Sequence, residues 1–199
     1  SHDLKPWLGD EATFAIMSAD IDRDEETGLQ PGYLLVLAVQ NPQQAEESLQ
    51  AFWRRQAGSD LITEQVAGIQ LLSAGSSDSE SEDLKPRLAS AMVGNHYVLF
   101  ANYPKVLRTA LNNAQVSELS LEKSFSYQQA LEQVSEPQAG FLFVNIPELS
   151  PDLNQRLTNL LQLDLSPYDS LMLGLRPASQ GLLANAVLLA TNPAPSESS

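Results

Sequence analysis

"YLLVLAVQNPQQAEESLQAFWRRQAG", Tyr33 to Gly58, holds the two apolar patterns from which the fold is read. Tyr33 to Val39 is apolar at every position. That is the pattern of a central strand covered on both faces, or heavily on one. Asn41-Pro42 then opens a helix, since asparagine caps the first free N–H groups and proline is tolerated at the first helical position. Ala45, Leu49, Phe52 and Trp53 fall at i, i+4, i+7 and i+8, a single stripe that calls for burial. Glu46, Glu47, Arg54 and Arg55 take the solvent side, and Gly58 is placed to end the helix.

The same reading extends in both directions. Upstream, ATFAIMSA, Ala12 to Ala19, sets Phe14 and Ile16 two apart, as a strand requires. Trp7, just before it, is expected to plug the end of the sheet. Downstream, VAGIQLLSA (Val66 to Ala74) reads as a strand, and so does LASAMV–HYVLFA (Leu88 to Ala101). Gly94-Asn95 marks a tight turn or a strand irregularity within the latter. Asn102 and Pro104 open a second helix, with Val106, Leu107, Ala110, Leu111 and Ala114 inward. A third helix is expected in SFSYQQALEQV, where Tyr127, Ala130, Leu131 and Val134 align. AGFLFVNI is the next strand, and Ser150-Pro151 opens a helix carrying Leu153, Leu157, Leu160 and Leu161. SLMLGLRP and GLLANAVLLA close the pattern as an antiparallel pair.

The class this predicts is α+β: a mainly antiparallel sheet with helices packed on one face. Strand–helix–strand–strand–helix over about 33–116 is followed by strand–helix–strand–strand over about 139–190. This element order predicts a degenerate internal duplication within one domain, residues 3–190. NPAPSESS reads as a disordered tail or the start of a linker, residues 191–199.

The chain has 199 residues, with Lys+Arg 11 against Asp+Glu 25 and a formal net charge of -14. Such a surface repels nucleic acid, and no basic stripe offsets the sign. A basic protein partner suits it. Cysteine is absent, which excludes disulfides, thiol catalysis and cysteine-ligated metal. No apolar run approaches the ~20 residues of a membrane-spanning helix. Ser1-His2 reads as a tag remnant, so His2 carries no functional weight. The polar opening SHDLKPWLGDE is no signal peptide, and a membrane link is expected only through flanking sequence.

Candidate chemistry is sparse. His96 is the only histidine beyond the first two residues, and no HxH or HExxH surrounds it. It reads as a surface residue at the start of a strand, without catalytic or metal role. Asp20, Asp22 and Asp24 alternate like the first ligands of a calcium loop, but Glu25 stands where glycine is needed and Pro31 where the bidentate glutamate belongs. They form a weak calcium candidate. The acidic loops are instead expected contacts for a basic partner: Asp22, Asp24, Glu25 and Glu26 in one, Asp78, Glu80 and Glu82 in the other. No GxSxG, SxxK, GxGxxG or GxxxxGK[ST] occurs, so no catalytic residue and no cofactor is assigned.

The opening DLKPWLGDEATFAI, the helix start NPQQAEESLQAF, and NHYVLFANYPKVLRTALNNA followed by SFSYQQALEQV resemble an exported cyanobacterial family catalogued as a domain of unknown function. The resemblance covers most of residues 3–150. It implies longer relatives with an N-terminal signal or anchor, and a setting in the periplasm or thylakoid lumen. It brings no catalytic residues. The function expected is a non-catalytic extracytoplasmic domain that binds or scaffolds protein, at a photosynthetic or envelope membrane. Two alternatives stand beside it: a carrier of small molecules or lipid with a pocket between helices and sheet, and a hydrolase whose carboxylates meet only in the fold.

Overall fold

A computed structural model describes residues 6–17, 32–75, 87–116, 121–134, 140–149, 151–179 and 181–190. The chain falls into two compact units, Ser1–Val116 and Ser117–Ser199. Among the described residues no helix is long and apolar enough to cross a membrane.

Unit one contains strands β1 (Leu8–Met17) and β2 (Gly32–Val39), helix α1 (Pro42–Gln56), strands β3 (Leu61–Val66), β4 (Ile69–Ala74), β5 (Ala89–Val93) and β6 (Tyr97–Ala101), and helix α2 (Pro104–Asn113). The six strands make one antiparallel sheet in the order β1-β2-β6-β5-β4-β3. The all-apolar run thus becomes a central strand: Leu34, Val36 and Ala38 of β2 pair with Ala101, Leu99 and Tyr97 of β6. Asn41 caps α1 as its side-chain oxygen accepts from the Gln44 N–H at 3.2 Å. Ala45, Leu49 and Trp53 are buried along the expected stripe.

Because side chains alternate across a strand, consecutive residues enter different cores. Leu37 and Val98 pack with Trp7, Leu49 and Trp53 under α1. Leu34, Leu71, Ala91 and Leu99 pack with Val106, Leu107 and Leu111 under α2. Both faces of this sheet therefore carry a helix, where helices on one face were expected. Trp7, 1% exposed, closes the α1 side. Trp53 is anchored there by its indole N–H, which donates to the buried Ser90 hydroxyl at 2.7 Å.

Unit two contains α3 (Phe125–Gln133), β7 (Gly140–Asn145), α4 (Pro151–Leu161), β8 (Tyr168–Ala178) and β9 (Gly181–Ala190). Its antiparallel sheet has the order β7-β8-β9. Alternation divides the core again. Phe143, Met172 and Val187 meet Tyr127, Ala130 and Val134 of the α3 segment. Val144, Leu171 and Leu188 lie with Leu157 of α4, Ile146 and Leu165.

The α+β class and the antiparallel pairing hold. The duplication is not confirmed, because the pairings differ. β7 pairs with β8, the strand that follows α4, whereas β2 skips the strand that follows α1 and pairs with β6. The segment Val66 to Ala74 is not one strand. Ala67 and Gly68 take φ of +55° and +79° and turn the chain between β3 and β4. Gly94 and Asn95, at +56° and +60°, make the tight turn between β5 and β6. Asn102 does not cap α2, whose N-cap is Tyr103. Its side chain instead accepts from the Tyr33 N–H at 2.7 Å. The residues read as a tail, 191–199, lie outside those described.

Candidate functional site

In unit one, a cavity of about 310 Å³ opens between the C-terminal half of α2 and the sheet. Val36 of β2, Leu99 and Tyr97 of β6, and Val93 of β5 supply its floor, and Ile69 of β4 one side. Ala110, Leu111, Ala114 and Gln115 supply its roof. The void has a local cause. Ala110 and Ala114 lie one turn apart on the helix, and their single methyl groups leave unfilled the space that longer side chains would take. The helix is packed on the sheet through Val106, Leu107 and Leu111, and polar contacts tie it to the β3–β4 hairpin. Arg108 donates from Nε to both carboxylate oxygens of Glu64 on β3, at 3.0 and 2.9 Å. One turn-pair later, Gln115 Nε2 donates to the Ala67 carbonyl at 2.9 Å. Among the described residues no charged side chain lines the cavity, and the polar residues that line it are Tyr97 and Gln115. Its volume reaches the lower end of ordinary ligand pockets.

In unit two, a smaller cavity of about 120 Å³ is lined by Phe125, Ser126, Gln129, Asp169, Leu189 and Ala190. Asp169 gets there through a β-bulge. Tyr168 pairs with Ala190 and Ser170 with Leu189, which leaves Asp169 as the extra residue of β8. The cavity falls well below the ~300 Å³ at which ordinary ligand pockets begin. It is too small for a substrate of ordinary size.

Unit two also exposes several large apolar side chains. Phe125 is 73% and Leu160 78% exposed, and Phe141, Leu142, Leu161 and Leu183 are exposed as well. Among the described residues α4 has no buried side chain, and of the leucines it carries, Leu153, Leu157, Leu160 and Leu161, only Leu157 joins a core cluster. Leu131 of α3 is likewise exposed at the surface.

His96 lies in the β5–β6 turn with its side chain exposed. Its backbone is what the fold uses. The His96 N–H donates to the Val93 carbonyl at 3.0 Å, and its carbonyl accepts from the Val39 N–H at 2.8 Å. Neither cavity includes it. The calcium candidates Asp20, Asp22 and Asp24, and the partner-contact candidates Asp22, Asp24, Glu25, Glu26, Asp78, Glu80 and Glu82, lie outside the described residues. Among the described residues no group of three or more His, Asp or Glu side chains is arranged to hold a metal.

Sequence reasoning placed Ala110, Leu111 and Ala114 on the inner face of their helix but gave no sign of a cavity. The spacing of two alanines opposite valine and leucine was the only available signal.

The whole chain, residues 1–199, matches the family described as "Protein of unknown function (DUF3352)", and the chain belongs to that family. No curated protein and no solved structure matches it.

Proposed function

We propose that this member of the DUF3352 family is a non-catalytic domain that binds or scaffolds another protein on the extracytoplasmic side of a membrane. One observation carries the reading: the exposed apolar surface of unit two, with Phe125 at 73% and Leu160 at 78%. Phe125 and Leu160 belong to helices packed against opposite faces of the sheet, so they offer two separate apolar contact points, and a large apolar side chain left in water gains by being covered. The net charge of -14 favours a basic partner, steered by long-range attraction and then held by apolar contact. The extracytoplasmic setting follows from the family resemblance drawn above.

The test is capture from native membranes with the full-length protein as bait. One stoichiometric partner is expected, weakened by salt and lost with Phe125→Ser/Leu160→Ser. Equal capture by that double variant overturns the reading.

The cavity under α2 supports a second reading, a carrier for a small uncharged apolar ligand. Native mass spectrometry of unheated protein is expected to show a copurified mass, and Ala114→Phe, which fills the cavity, to remove it. An unliganded spectrum from the unaltered protein counts against the carrier.

A further inference from the structure

Every sheet has two edges, and each edge strand leaves a row of backbone N–H and C=O groups without a ladder partner. Natural proteins guard such edges with charge, proline, irregular pairing or short length. Unit one does so. Its edge strand β3 has six residues and carries Glu64. Its other edge, β1, carries Asp10 and Glu11, and its pairing with β2 shifts register between Leu8 and Ala12.

β9 has none of these guards along its outer length. It runs ten residues, Gly181–Ala190 (GLLANAVLLA), with no charge and no proline. Its register with β8 is continuous from Ser170↔Leu189 to Ala178↔Gly181. Among the described residues its only ladder partner is β8. Leu183, Ala184 and Ala186 are exposed. The unit around it is acidic, with nine Asp and Glu against three Lys and Arg in residues 117–199 of the sequence.

We propose that β9 is a docking edge, which takes an uncharged strand with basic flanks from another protein. This rests on the protein-binding reading and adds the mode, main-chain strand addition, and the chemistry of the segment. Backbone hydrogen bonds to β9 supply affinity in this mode, and alternate side chains supply specificity. Basic flanks follow from the charge of unit two. A second copy of this chain would bring like charge to like, so the occupant is a different protein.

The probe is a synthetic strand of alternating valine and threonine with lysines at both ends, and the readout is backbone amide exchange of the whole chain. The peptide is expected to slow exchange at amides of residues 183–189 and to leave β1 and β3 unchanged. Replacing its lysines by glutamates should weaken binding roughly tenfold or more. Ala186→Lys, a charge set in the middle of the exposed edge, should abolish the protection while β8 amides keep theirs, which reports that the unit still folds. Protection elsewhere, no protection, or a dimer that forms through β9 without peptide overturns the proposal. Native partner capture that survives Ala186→Lys overturns the edge and leaves the protein-binding reading standing.

Discussion

Two buried serines show that the same side chain has opposite value in different surroundings. Ser90 accepts the Trp53 indole N–H at 2.7 Å. In Ser90→Ala that N–H stays buried without an acceptor, so urea unfolding should show a loss of about 1–3 kcal/mol. Ser170 is equally buried, but among the described residues its Oγ meets no hydrogen-bond partner. Ser170→Ala removes an unpaid desolvation and should be neutral or slightly stabilising in the same assay. Tyr103 adds a pH dependence. Burial, and then the nearby Tyr33 phenol, raise its pKa above the ordinary 10.0. The fold thus favours the protonated phenol, a contribution fully present below pH 10.0 and lost as pH rises through the raised value. Thermal midpoints should fall above pH 10, and Tyr103→Phe should fall less steeply. Asp164 acts at the other end of the scale. The Ser166 N–H at 2.9 Å, and then its hydroxyl, hold that carboxyl below its usual value. Its contribution is present above the ordinary 3.8 and disappears as pH falls through the lowered value.

At the scale of elements, the β3–β4 turn is the most correctable feature. Ala67 sits at φ +55°, a left-handed conformation that costs an L-residue roughly 1–2 kcal/mol and that asparagine tolerates far better. Ala67→Asn makes the Asn-Gly pair that such two-residue turns favour, and should raise the urea midpoint by about 1 kcal/mol of stability. The same residue explains a misreading. Alanine gives no turn signal, so Val66 to Ala74 looked continuous, while Gly94-Asn95 announced its turn openly. β2 and α1 were legible because their apolar patterns differ in period and the helix carries its own cap at Asn41. α4 was legible as a helix but not as an exposed one. Periodicity in Leu153, Leu157, Leu160 and Leu161 reveals an apolar stripe; only packing decides whether anything covers it. The cavity under α2 was hidden for a related reason, since a void is the difference between two surfaces and belongs to neither sequence. A half-buried ion pair holds that helix in place. Arg108→Ala should cost about 1 kcal/mol and loosen exchange protection along α2.

At the scale of the whole molecule, charge and apolar exposure oppose each other. A net charge of -14 keeps copies apart at neutral pH. Near the isoelectric point of about 4.3 that repulsion vanishes, and the apolar surface of unit two is left unopposed. Light scattering should show self-association peaking near pH 4.3. Phe125→Ser/Leu160→Ser should suppress it, with unfolding free energy unchanged to within ~0.5 kcal/mol because both residues lie at the surface. The order of strands in the six-stranded sheet bears on biosynthesis. β2 meets β6 through pairs such as Leu34↔Ala101, so its inner edge waits for a segment made more than half a unit later. Until the ribosome has delivered residue 101, the nascent chain can zip only its local hairpins. The oily run from Leu34 to Val39 stays open to chaperones during that interval, and translation speed between β2 and β6 becomes a determinant of yield.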